Sequence, residues 1–244
     1  MVLSRPELLK RLANDDLQLR GYLPNASNHT LLVDVGDPGE GIAAIYKPRE
    51  GERPLGDFPE GTLCRREVAA YEVSEALGWE IVPPTVLRAD APLGEGSVQL
   101  FVPHDPSRHY FVLVEEGRSR SALARMATFD LLVNNADRKG SHVLEVHGST
   151  RIVGIDHGLT FHPQPKLRTV IWDLGDEEIV PRWRDDVAGI ERELLGGGEL
   201  ASRLERLLSP LEVLALRARS SALAERSRLP APPTDRRPYP WPPL

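Results

Sequence analysis

The sequence predicts an α+β protein in two lobes, a β-rich N-terminal half and an α-rich C-terminal half. Three observations carry that prediction. Short apolar segments bounded by Pro, Gly and Asn fill the chain as far as Val102. Long segments with helical spacing dominate after Ser119. Between them, residues 101–105 form a short connector that contains Pro103. Two lobes joined by such a hinge enclose a natural cleft for a small ligand.

The first element is a helix. Ser4 caps it, Glu7 closes a capping box, and Pro6 sits in the first turn. A hairpin follows. Leu17, Leu19 and Leu23 alternate in one strand, residues 31–35 form its partner, and residues 24–28 (PNASN) are small polar turn formers. A third strand, residues 42–47, ends at Pro48, and a loop rich in Gly, Pro and charge occupies residues 49–61. Thr62 opens a helix through Leu77, which Gly78 stops. Residues 81–87 and 97–102 are two further strands, giving a mainly antiparallel sheet with one helix inserted. Beyond the connector, residues 119–134 form a helix with Leu123, Met126, Ala127, Asp130 and Val133 on one side, followed by a polar loop at 135–141. Short strands at 142–146 and 151–155 precede an irregular segment, residues 156–181. The remainder is helical, with a second capping box at Ser209 and Glu212 and a last helix running to about Arg226. The Pro-dense tail, residues 230–244, is expected to be extended or disordered and outside the core. The expected organisation is an N-lobe at 1–103, a C-lobe at 104–229 and this tail.

Composition excludes several classes. The chain has 244 residues, 41% of them hydrophobic and 27% charged, enough for a sizeable core. A single cysteine, Cys64, excludes an intramolecular disulfide framework and fits a reducing cytosol. No apolar run approaches the roughly 18 residues of a membrane helix. The first residues lack the apolar region of a signal peptide. The expectation is therefore a cytoplasmic protein without integral membrane association. A net charge of −6 disfavours a nucleic-acid partner. Only four of the 30 basic residues are lysines: Lys10, Lys47, Lys139 and Lys166. Where Arg is the default cation, a retained Lys invites a search for chemistry that needs a compact ammonium.

Lys47 ends the third strand and is either a solvated strand-end residue or an ammonium held in a cleft for phosphate oxygens. Glu67, inside the next helix, is either an exposed glutamate or the carboxylate that orients Lys47. Asp137 stands at the tip of the polar loop, where a carboxylate can orient an attacking hydroxyl or accept its proton. Asp156 directly follows a buried strand and is followed by His157 and Gly158, a setting that suits a metal ligand at a sharp turn. Each signal is weak alone. The order of Lys on a strand, Glu on the next helix, connector, Asp loop and strand–Asp–x–Gly is the order of phosphoryl-transfer parts in kinase-type folds.

At these residues the chain resembles a known superfamily. Residues 44–48 (AIYKP), 66–71 (REVAAY) and 81–85 (IVPPT) look like the N-lobe of type II phosphatidylinositol 4-kinases and HipA-type protein kinases. Residues 99–102 (QLFV) look like their hinge, 129–138 (FDLLVNNADR) like their catalytic loop, and 155–161 (IDHGLTF) like their metal-binding Asp-Phe-Gly element. The resemblance spans residues 17–165 and points to an actinobacterial branch of this phosphatidylinositol 3-/4-kinase-like group. It implies a two-lobe protein-kinase-like fold and ATP-dependent phosphoryl transfer with Mg²⁺ or Mn²⁺. Lys47 would hold the α- and β-phosphates, oriented by Glu67. The turn at Ser27 and Asn28 would lie over the phosphates, and the backbone of Gln99, Leu100, Phe101 and Val102 would bind adenine. Asp137 would position the acceptor hydroxyl and Asp156 would ligate the metal. His142 departs from the family pattern, which places Asn five residues after the catalytic Asp. It is either a metal ligand in that Asn's place or a structural histidine, and it keeps open a nucleotide-binding pseudokinase with a regulatory role. A more distant rival is a zinc hydrolase built on His142, His147, Asp156, His157 and His162. The acceptor is unknown. With no polybasic run or lipidation motif, a protein Ser/Thr or a small cytosolic molecule is preferred over lipid.

Overall fold

In the computed structural model, residues 3–23, 29–37 and 41–244 are described. Ser27 and Asn28 lie outside the described residues. The chain opens with α1 (Arg5–Asn14), whose capping box of Ser4 and Glu7 is formed. Strands β1 (Leu17–Tyr22), β2 (Leu31–Val35) and β3 (Ile42–Pro48) then form an antiparallel meander. After α2 (Leu63–Ala76), strands β4 (Thr85–Arg88) and β5 (Gly96–Leu100) complete a five-stranded sheet in the order β1-β2-β3-β5-β4. Leu31, Val33, Val35, Ala44, Tyr46 and Val98 alternate onto one face and pack with Leu12 of α1.

The second lobe holds α3 (Tyr110–Glu116), α4 (Arg120–Val133), the β6 (Val143–Glu145) and β7 (Ile152–Gly154) ribbon, then α5 (Pro181–Gly196), α6 (Glu199–Glu205) and α7 (Pro210–Ala224). Its core is continuous with α2: Ala69, Ala70 and Val73 pack in one cluster with Met126, Phe129 and Leu132 of α4 and Leu216 of α7. That continuity makes α2 the bridge between the sheet and the helices.

Several elements differ from expectation, each for a local reason. The strand expected at 81–87 begins only at Thr85, because Pro83 and Pro84 have no N–H to give to a ladder. The Ser74 hydroxyl instead accepts from the amides of Ile81 and Val82, at 3.0 and 3.1 Å. The strand expected at 97–102 stops at Leu100. Thr62 does not cap α2 with its side chain. The carboxylate of Glu52 does so from the preceding loop, accepting from Leu63 N and Cys64 N at 3.0 and 2.8 Å. Helix α3 was not legible in the sequence. The tail has no helix or strand, and it is bound to the second lobe. Pro238 O accepts from Thr169 N (3.0 Å) and Trp172 Nε1 (2.9 Å), and Pro243 O accepts from Gly140 N (2.8 Å). Prolines leave carbonyls without competing amides, so a Pro-rich segment serves as an acceptor rail.

Candidate active site

On β3, Ala44 and Tyr46 enter the sheet core, so period-two alternation turns Lys47 to the opposite face, toward α2 and the second lobe. There Lys47 Nζ donates to Glu67 Oε1 and to Asp156 Oδ1, the latter at 2.9 Å. The second oxygen of Glu67 accepts from His157 N at 2.9 Å, which ties α2 to the turn after β7. Asp156 has φ +60°, a left-handed conformation that Asp tolerates better than most residues. Its other oxygen lies 3.3 Å from His142 Nε2, and His142 Nδ1 lies 3.0 Å from the carbonyl of Asp137. A single chain of polar contacts therefore joins Glu67, Lys47, Asp156, His142 and the Asp137 loop.

The imidazole has polar neighbours at both ring nitrogens. Nδ1 faces both the Asp137 carbonyl (3.0 Å) and the Lys139 amide (3.4 Å), while Nε2 faces the Asp156 carboxylate. Burial, with the positive fields of Arg138, Lys139 and Lys47, outweighs Asp156 and pushes the imidazole down to about 4. An imidazole and a carboxylate side by side, 3.3 Å apart, are donor types that a divalent ion accepts. His142 and Asp156 thus fit a divalent ion, although among the described residues no group of three or more His, Cys, Asp or Glu side chains could hold one. The five-residue zinc cluster is not formed: His147 is exposed, and the fully buried His157 places Nε2 2.7 Å from Arg138 Nη2.

The remaining charges are tuned by the same contacts. Burial alone would lower Lys47, but Asp156 and Glu67 more than offset it and hold the ammonium charged. Burial pushes Glu67 up against the pull of Lys47. The Asp156 side chain is 48% exposed to the cleft. Despite the opposing effect of desolvation, the Lys47 ammonium holds it well below the carboxylate range. Asp137, with its side chain 25% exposed, is pushed up to about 6, chiefly by burial and against the attraction of Lys139 at 3.5 Å.

Sequence reasoning missed the residue that holds the Asp137 loop. Arg138 is fully buried and forks onto Asp130 of α4, Nε to Oδ2 and Nη2 to Oδ1, both at 2.9 Å. Its Nη1 donates to Ile155 O at 2.9 Å, one residue before Asp156. Asn135 adds a bond from Asp137 N to its Oδ1 at 2.9 Å. The available signal was Asp130, a carboxylate on the buried face of a helix, which demands a cation nearby.

A cavity of about 900 Å³ opens against Lys47, Glu67, Asp137, His142 and Asp156. Lys139, Arg168 and the tail residues Arg237 and Trp241 also line it. Gln99, Leu100, Phe101 and Val102 do not line this cavity. Gln99 is buried between β3 and β4, with Nε2 on Thr85 Oγ1 at 2.8 Å. Leu100 N and Phe101 N donate to Pro84 O and Ala43 O, and Val102 O lies 2.8 Å from His104 Nδ1.

No protein-family model matches the chain. Several solved structures share its fold. They include a Golgi casein kinase (TM-score 0.57, 14% identity, covering 90% of this chain and 73% of that one). Hydra Fam20 with sugar has a TM-score of 0.59 at 17% identity, covering 91% and 88%. The Helicobacter pylori proinflammatory kinase CtkA has 0.53 at 11%, covering 88% and 94%. The chain therefore has a kinase-like fold, a β-sheet lobe on a helical lobe. At the level of sequence it is 38% identical to Protein Rv2133c of Mycobacterium tuberculosis (strain ATCC 25618 / H37Rv), in an alignment of 267 residues covering 95% of this chain and 93% of that protein. The chain belongs to the family of that protein.

Proposed function

We propose that the chain is an ATP-dependent phosphotransferase. The observation that carries this reading is Lys47 bonded to both Glu67 and Asp156, with Asp137 across the same cavity. Phosphoryl transfer asks a protein mainly for positioning and charge, and these four residues supply both. Lys47 holds the nucleotide phosphates, and Glu67 keeps it aimed. Asp156 and His142 hold the divalent ion, which neutralises charge on the phosphates when bound. Asp137 accepts a hydrogen bond from the acceptor hydroxyl and takes its proton. Lys139, beside Asp137, steadies the transferred group. For adenine, Val102 at the end of the connector belongs to a small apolar cluster with Leu144 and Val153, with Val146 and Ile155 against it. The order of motifs from residue 44 to residue 161 supports the phosphatidylinositol-kinase/HipA type. A solved relative of the fold is described as Golgi casein kinase with Mn/ADP bound, which supports testing Mn²⁺ beside Mg²⁺.

The test is calorimetric titration of ATP with each metal, followed by a γ-phosphate transfer assay. Metal-dependent ATP binding with transfer is the expected result. Binding without transfer leaves the regulatory pseudokinase, and no binding of ATP removes both.

A further inference from the structure

The cavity wall around Asp137 carries more positive charge than the nucleotide site uses. Lys139, Arg168 and Arg237 all face the cavity. Lys139 is matched by Asp137. Among the described residues, the guanidinium groups of Arg168 and Arg237 have no hydrogen-bond or salt-bridge partner. Arg168 feels the fields of Asp137 and Asp57, but Asp57 is bonded to Lys166 at 2.8 Å. Arg237 lies 5.7 Å from the Trp241 ring centroid, a cation–π contact that leaves its N–H groups unused. The acidic groups on the same wall are engaged: Glu67 and Asp156 with Lys47, and Glu52 at the start of α2. In a chain of net charge −6, this end of the cavity holds two guanidinium groups, the half-buried Arg168 and the exposed Arg237, whose N–H groups have no hydrogen-bonded partner among the described residues. That is an anion-binding arrangement, because the planar fork matches phosphate and carboxylate oxygens.

We propose that the phosphate acceptor is a small hydroxyl-bearing molecule that also carries a phosphate or carboxylate group, bound by Arg168 and Arg237. The inference rests on the phosphotransferase reading above and names the substrate class of that site. The size follows from the tail. Its bonds to Gly140, Thr169 and Trp172 bring Arg237, Trp241 and Leu244 into the wall beside Lys139. An acceptor therefore reaches Asp137 inside about 900 Å³, within the roughly 300–1,000 Å³ of small-molecule sites. In the transfer, the acceptor oxygen bonds to the γ-phosphorus while the bond from that phosphorus to the bridging oxygen breaks. The hydroxyl proton passes to Asp137, and ADP leaves with the electron pair.

The experiment titrates inorganic phosphate, and separately acetate, into the full chain with ADP and Mn²⁺ present. ATP with Mn²⁺ is titrated alone in parallel, and thermal melting confirms that each variant is folded. The expected result is saturable binding of at least one anion by the wild type, weakened tenfold or more in Arg168→Met and in Arg237→Met, with ATP affinity equal in all three. Tighter phosphate than acetate makes the acceptor phosphorylated, and the reverse makes it carboxylated. A wild type that binds neither anion overturns the proposal, as do variants that bind both like the wild type. Variants that lose ATP and anion affinity in step also overturn it, since the arginines then serve the nucleotide. A ten-residue phosphoserine peptide library that binds more tightly than inorganic phosphate overturns the small-molecule assignment. Loss of anion binding in the variants, with no ATP or ADP binding by the wild type, sinks the phosphotransferase reading and leaves the anion site standing.

Discussion

Lys47 and Asp137 illustrate how single side chains are set by their surroundings. Lys47 is charged because two carboxylates outweigh its burial, which suits the phosphate-binding role proposed for it. Lys47→Ala should weaken ATP binding by about 1.5–3 kcal/mol, the range for a charge-assisted hydrogen bond. Calorimetry on a variant with an unchanged circular dichroism spectrum checks it. Asp137 moves the other way, up to about 6. In the proposed reaction its ionised form is the proton acceptor, and that form is present above this value, so turnover should fall as pH drops through about 6 while ATP binding persists. The same shift has a stability consequence. An Asp whose folded pKa exceeds its unfolded value destabilises the fold at pH values above both. Asp137→Asn should therefore abolish transfer and raise stability at pH 7 by about 1–3 kcal/mol. The gain should vanish below about pH 3, where both states are protonated. Urea melts of both proteins at the two pH values measure it.

Among the elements, the tail carries most information that helix and strand patterns miss. Residues 230–244 have no partner of regular structure, yet three bonds attach them to segments beside Asp137. Gly140 shows how close the approach is: a Cβ there would meet Phe111 Cε2 at 2.9 Å and Leu244 Cδ1 at 3.2 Å. Gly140→Ala should push the tail away and lower stability by about 1–2 kcal/mol, as overpacking does. Limited proteolysis should then cut within 237–244 faster than in the wild type. The cap of α2 is a second long-range dependence. Glu52→Ala should cost about 1 kcal/mol, and a thermal melt reads it directly.

For the whole molecule, the decisive contact is the buried pair of Arg66 on α2 and Glu212 on α7. Arg66 also donates to Thr160 O at 2.7 Å and lies 5.0 Å from the Phe58 ring centroid. Arg66 precedes Glu67, so this pair anchors the helix that aims Lys47 onto the helical lobe. Glu212→Gln keeps the Ser209 cap but strands a buried guanidinium. It should destabilise the protein by about 3 kcal/mol and weaken ATP binding through a looser Glu67. Hydrogen exchange across Leu63–Ala76 should speed up in the variant, and unchanged exchange would show that α2 is held by its apolar face alone.

By itself, the sequence determined those features that depend on neighbours a few residues away. Capping boxes at Ser4 and Ser209, the alternation that turns Lys47 from the sheet core, and the buried face of α4 follow from local spacing. The order of Lys47, Glu67, Asp137 and Asp156 was legible too, because each stands on or beside an element set by local spacing. Tertiary structure decided what depends on distant partners. The cap on α2 comes from Glu52, the support of the Asp137 loop from Asp130 through Arg138, and the wall of the cavity from residues 237–244. None of these leaves a periodic trace, because a side chain that meets its partner across the fold is constrained by position in space and not by spacing along the chain.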